Sequence, residues 1–251
     1  MKRLLICAVL LGACAQEPDP PADLAPVSLP VADQAGNRME AMTLVEAPYP
    51  RWCTADNTWC VNSDEPGARA WNGETTIPLG PLSGLEVWPN IIRNADGSVV
   101  VGFIRRQNQM YSGGGANVSE IVLHSIANSV AQEAGTLPHS GAISIRACFD
   151  EEDQRNRRDA CLDQYDFLTR ISLNEGATSG PAQILLETVA TTYPGRLNRN
   201  ADSTQAAPLQ ASDLVQRVDE TCSYRRTYIR AADGRYAPDE PLPDCSQYLE
   251  P

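Results

Sequence analysis

Eight cysteines are the residues of this 251-residue chain whose type and spacing could do chemistry. Six of them, Cys53, Cys60, Cys148, Cys161, Cys222 and Cys245, lie well inside the chain. Thiols in that number can hold a metal or pair as disulfides. The spacings lack CxxC knuckles, and the two histidines, His124 and His139, fall outside the cysteine pairs, so zinc is disfavoured. Sequence proximity pairs Cys53 with Cys60, Cys148 with Cys161 and Cys222 with Cys245, because each pair brackets a polar or turn-rich segment. In the chain-entropy model, loops of this length contribute about 2.5–3.5 kcal/mol each. No metal or cofactor is expected.

Other chemistry is sparse. The chain has no GxSxG elbow, HExxH, Walker A lysine or GxGxxG leading into a helix. His124 sits in an apolar run and His139 follows Pro138 in a turn-like stretch. The adjacent carboxylates Asp150, Glu151, Glu152 and Asp153 have Arg155, Arg157 and Arg158 beside them as neutralising partners. Asn198, Asn200 and Asp202 have loop-like spacing, but Ser203 and Leu209 stand where a calcium loop needs Gly and Glu. No catalytic residue is assigned.

Cys14 is different. Lys2 and Arg3 precede an apolar run, residues 4–11, and the small residues Gly12 and Ala13, in the order of a secretory signal. That run is far shorter than the ~20 residues of a membrane span. Leu11-Gly12-Ala13-Cys14 resembles the lipobox of bacterial lipoproteins. The resemblance implies cleavage before Cys14, a diacylglyceryl thioether on its thiol and an acylated amino group. Acyl chains in that number hold firmly, since each buried methylene contributes about 0.8 kcal/mol. Ala15, not Asp, follows the cysteine, which resembles the enteric signal for sorting to the outer membrane. The expected location is the bacterial cell envelope, lipid-anchored.

Removal of residues 1–13 takes the net charge from −12 to −14, because Lys2 and Arg3 are lost. So acidic a body argues against nucleic acid, whose affinity comes from Lys and Arg on phosphates. A cationic protein or an envelope glycan fits better as partner. Residues 14–50, with Pro18, Pro20, Pro21, Pro26, Pro30, Pro48 and Pro50, show no sustained period and are expected to be a tether. The single folded domain is expected over 51–251, long enough for one substantial core.

Within that body the elements are short-range. Residues 87–106 hold two β-rich runs around Asn94-Ala95-Asp96-Gly97, and Asp-Gly is a strong hairpin signal. The same wording returns at Ile229 to Gly234. Further strands are expected around residues 116–128, 141–149, 165–173 and 181–193, and the charged insert 150–164 as a helical turn tied by Cys148 and Cys161. Long amphipathic helices and strand–helix alternation are absent. The fold class is all-β antiparallel, a sandwich or partly closed barrel with hairpin turns and three disulfides.

The four tryptophans, 52, 59, 71 and 88, cluster early, two of them beside Cys53 and Cys60. Packing on a disulfide is the commoner use of such a ring, a sugar-stacking platform the rarer one. The most unusual string is Tyr111-Ser112-Gly113-Gly114-Gly115. Consecutive glycines suit a bend or a close backbone approach. They form either a hairpin turn or a surface on which a partner docks. The expected function is a non-catalytic binding or assembly module tethered at the envelope, docking through residues 111–115. The alternative is an envelope hydrolase acting on glycan or peptide, with a carboxyl pair in separated environments.

Overall fold

The two echoed strings close hairpins with the same hydrogen bonds. Asn94 N–H donates to Ser98 O and Ala231 N–H to Arg235 O. The carboxylates of Asp96 and Asp233 each accept from the amide two residues on. Gly97 and Gly234 sit at φ +84° and +85°, where a Cβ is disfavoured.

The computed structural model describes residues 27–251 apart from 47, 65, 66, 74, 83 and 200–206. The signal, Cys14 and the first part of the expected tether lie outside the described residues. Strands β1 (Val31–Ala32), β2 (Arg38–Ala41), β3 (Thr43–Val45), β4 (Arg51–Cys53), β5 (Trp59–Asn62), β6 (Ala68–Asn72), β7 (Thr75–Gly80) and β8 (Glu86–Arg93) come first. The long strands β9 (Val99–Tyr111), β10 (Gly114–Ala127), β11 (Val130–Arg146), β12 (Leu162–Leu173) and β13 (Ile184–Tyr193) follow. β14 (Arg217–Val218), β15 (Arg225–Arg230) and β16 (Tyr236–Pro238) end the series, with short helices α1 (Glu151–Asn156) and α2 (Ser246–Leu249).

Every pairing is antiparallel. One sheet of eleven strands runs β1-β2-β8-β9-β10-β11-β12-β13-β15-β16, with β14 on β13; a second of five runs β3-β4-β5-β6-β7. The all-β antiparallel class expected from the hairpin grammar is what forms, and the large sheet does not close into a barrel. It bends instead. β11 pairs with β12 only through residues 140–146, and a bulge breaks its register with β10 between Ser119 and Glu120. Beyond that point the two halves of the sheet separate and pack on each other around Met39, Ile92, Ile121, Leu137, Ile171 and Leu186. The small sheet covers another surface of β8–β10 through Val61, Ile77, Ile91 and Phe103.

All three disulfides form as sequence proximity paired them, Cys53–Cys60, Cys148–Cys161 and Cys222–Cys245. Cys53 and Cys60 are cross-strand partners of β4 and β5. Trp59 and Trp88 are buried in the two cores, so packing accounts for them. The insert forms α1, capped by Asp150, whose side chain accepts from the amides of Glu152 and Asp153 at 2.9 Å.

The folded body begins earlier than residue 51. β1, β2 and β3 lie in the stretch expected to be tether, and β2 pairs with β8 through Met39 and Ile92. Met39 and Met42 are 1% and 3% exposed. Strands of two to four residues carry no readable period, and β8, which ties β2 into the large sheet, lies some fifty residues away, so the prolines dominated the sequence reading. A polar knot fixes this end. Asn37 donates to Asp33 at 2.7 Å and to Gly180 O at 3.0 Å, and its own oxygen accepts from Ala95 N–H. Asn94 closes the knot by accepting from Ala182 N–H.

Candidate docking edge and groove

The glycine string lies at the end of the longest hairpin. Ser112 and Gly113 make a two-residue turn between β9 and β10. Gly114 and Gly115 are not loop residues: each is paired with β9 on one side and β11 on the other. A Cβ on Gly114 would overlap the Ser144 carbonyl oxygen, and one on Gly115 would stand 2.7 Å from Met110 Sδ. Close strand approach explains these two glycines. What remains accessible at the tip is Ser112, part of Tyr111, whose hydroxyl lies 3.5 Å from Ser144 O, and Met110, which is 83% exposed. Phe149 and Leu162 are exposed at the same end of the sheet, and the Arg146 guanidinium sits 5.4 Å from the Phe149 ring centroid.

The larger feature is the strand behind the turn. The first half of β9 is buried between β8 and β10, but its pairing with β8 ends at Glu86 and Ile104. Its pairing with β10 continues to Tyr111 and Gly114. Residues 105–111 therefore have a strand on one side only, among the described residues. Natural sheets guard such edges with charges, prolines, bulges or short length. Here Arg105 pairs with Glu120 at 2.7 Å and Arg106 with Glu86 at 2.6 Å. Gln107, Asn108, Gln109 and Met110 carry no charge and no proline, and their pairing with β10 is unbroken.

A groove of about 370 Å³ opens beside this edge. Arg105 and Gln107 of β9 form its rim, Val118, Glu120 and Pro138 its floor, and the C-terminal segment its far wall. Cys222–Cys245 ties that segment down, and Tyr248, fully buried, seals it against Gly141, where a Cβ would overlap Tyr248 O. Tyr224 and Tyr228 stand in the wall; burial raises the pKa of both phenols, so they stay neutral. Asp244 is held ionised at lower pH than usual by the amide and hydroxyl of Ser246.

One hydroxyl and one imidazole do meet. Ser119 Oγ lies 3.0 Å from His139 Nδ1 and 2.7 Å from Ser140 Oγ, at the β11 bulge. Burial first, then Arg106, lowers the His139 pKa, which leaves an acceptor at neutral pH. Ser119 is 2% exposed and lies among the residues that line the groove. His124 packs edge-on to Phe103 at 5.8 Å between ring centroids. The structure thus leaves Tyr111 and Ser112 at a surface, takes Gly114 and Gly115 into the sheet, and adds residues 105–110, which sequence reasoning missed. The signal was the polar run Gln107-Asn108-Gln109 after an apolar strand, but nothing local says that β8 stops short of it.

Among the described residues no cluster of His, Cys, Asp and Glu is placed to hold a metal. No described helix is long and apolar enough to cross a membrane. Three disulfides suit an oxidising, extracytoplasmic setting for the folded domain. Comparison of the chain with family models, curated proteins and solved structures returns no match.

Proposed function

We propose that this chain is a bacterial envelope lipoprotein, acylated at Cys14, whose body is a non-catalytic binding module that captures an extended segment of a partner on the edge of β9. The observation that carries the reading is the unguarded edge, residues 107–110, projecting with an apolar tip. An extended segment laid there gains main-chain hydrogen bonds that the edge otherwise gives to water. The lipobox and the residues between Cys14 and the first strand supply the attachment, and the acidic body, at −14 after cleavage, favours a partner with cationic groups.

Two experiments test the two halves of this reading. Cys14→Ser should release the protein from membranes or leave it uncut; a processed, detergent-requiring variant would falsify the anchor. A photo-crosslinking residue at Met110 should capture a defined envelope component that one at the exposed Val215 does not. Asn108→Lys, a guard against strand addition, should abolish the capture. Equal capture from both positions, or capture indifferent to Asn108→Lys, overturns docking at this edge.

A further inference from the structure

The groove beside β9 has a charge and a depth that select what enters it. Its lining carries three carboxylates, Glu120, Asp244 and Glu250, against one guanidinium, Arg105, which is already paired with Glu120. Val118, Pro138, Leu242, Leu249 and the two tyrosine rings give it apolar surface, interleaved with the uncharged polar Gln107, Ser119, Thr136 and Ser246. A long cationic side chain suits such a site: its methylenes cover apolar surface while its head stays near the carboxylates at the opening. Neutral tyrosine rings add attraction for a cation over their faces. The Tyr224 ring already accepts one, with the Arg226 guanidinium 5.6 Å from its centroid.

Geometry sets the length. A segment added beside β9 lies one strand spacing from it, about 4.7–4.9 Å, and the groove floor belongs to β10 and β11 on the far side of β9. A side chain must pass over the Arg105–Gln107 rim to enter the groove. With β10 two strand spacings away, about 9–10 Å, no side chain reaches the floor itself. Short or β-branched ones end beside β9, and only arginine and lysine are long enough to pass the rim into the mouth of the groove.

We infer that the groove is a specificity pocket for an arginine or lysine side chain of the extended peptide that adds to the β9 edge. This rests on the proposed reading of that edge as the docking site, and it names the chemistry of the partner: a basic residue within an otherwise neutral β-strand. Alternate residues of an added strand point to the same face, so one such side chain enters the groove while its neighbours point away.

The test uses the purified full chain and fluorescein-labelled seven-residue peptides of alternating Thr and Val with a central Arg, Lys, norleucine or Glu. The Arg and Lys peptides should bind at least tenfold more tightly than the norleucine and Glu peptides, by fluorescence anisotropy at low salt. N-methylation of alternate backbone amides of the Arg peptide, tried in both registers, should weaken it at least tenfold in one register. Asp244→Asn with Glu250→Gln should shrink the Arg preference several-fold without moving the melting temperature; Asn at 244 keeps the oxygen that accepts from Ser246 N–H at 3.1 Å. Binding that is sensitive to N-methylation but indifferent to the central residue overturns the pocket and leaves edge docking standing. An Arg preference that survives N-methylation in both registers overturns strand addition, and the inference as stated with it. Equal binding of the norleucine peptide, or binding of none of the four, overturns the inference as well.

Discussion

The backbone of Gly114 lies against the carbonyl of Ser144, so close that a Cβ at position 114 would overlap the oxygen and stand 2.9 Å from the carbonyl carbon. Gly114 also has φ +157°, which a side chain rarely adopts. Gly114→Ala is therefore expected to lose roughly 2–4 kcal/mol of stability. At Gly113 a Cβ would meet only Arg146 Cβ, at an ordinary 3.7 Å, so Gly113→Ala should cost under about 1 kcal/mol. Urea midpoints of the two variants check this; equal losses would contradict the assignment of close approach to Gly114.

Arg157, at the C-terminal end of α1, and Asp163, in β12, form a buried ion pair, at 6% and 2% exposure. The guanidinium also donates to Ala160 O at 3.0 Å. Replacing the arginine leaves the Asp163 carboxylate buried without that cation, a loss of about 3–5 kcal/mol. Arg157→Met, similar in length, should show nearly the whole loss in denaturant unfolding. Arg155→Met, on the exposed side of α1 with Glu151 3.8 Å away, should change stability by less than about 0.5 kcal/mol.

The Cys222–Cys245 bridge spans 23 residues and pins the segment that walls the groove. In the chain-entropy model a loop of that size contributes about 3 kcal/mol. The double variant Cys222→Ala, Cys245→Ala should lose about that much. Hydrogen exchange should rise first at residues 242–250, because Tyr248 depends on that anchor for its burial. Exchange that rises evenly over the body would contradict this local role.

Acid should weaken the fold through the histidines. Burial lowers the pKa of His124, with Glu133 opposing, and burial with Arg106 lowers that of His139, both from 6.5. Below pH 6.5 the unfolded chain takes up protons that the folded chain refuses, so stability falls as pH drops from 6.5 towards the lower folded values and is flat above. His124 Nδ1 has no hydrogen-bond partner among the described residues, so His124→Phe removes a buried polar atom and keeps a ring against Phe103. Melting temperatures at pH 7.5 and 5 should differ less for that variant than for the parent chain. An unchanged difference would remove His124 from the account.

The local features of this protein were legible in its sequence because their causes are local. Cysteine pairs separated by 7, 13 and 23 residues close by proximity. Asp96-Gly97 and Asp233-Gly234 specify their turns within four residues, since the carboxylate accepts from an amide two positions on and glycine admits the positive φ. The antiparallel class follows from hairpins of that kind. The candidate site was legible only at its tip, Tyr111 to Gly115, and there the glycines have a different cause from a free loop: Gly114 needs no side chain because β11, thirty residues on, passes against it. The early strands were hidden for the same reason, for β2 joins the large sheet through β8, some fifty residues on. The edge of β9 is the clearest case. Whether residues 105–111 are an interior strand or an edge depends on where β8 ends opposite Ile104. The groove beside them exists because a distant disulfide holds residues 242–250 across the sheet. A strand's own residues set which side chains alternate across it, but its neighbours are set by the long-range packing of the chain, and only the tertiary structure decides them.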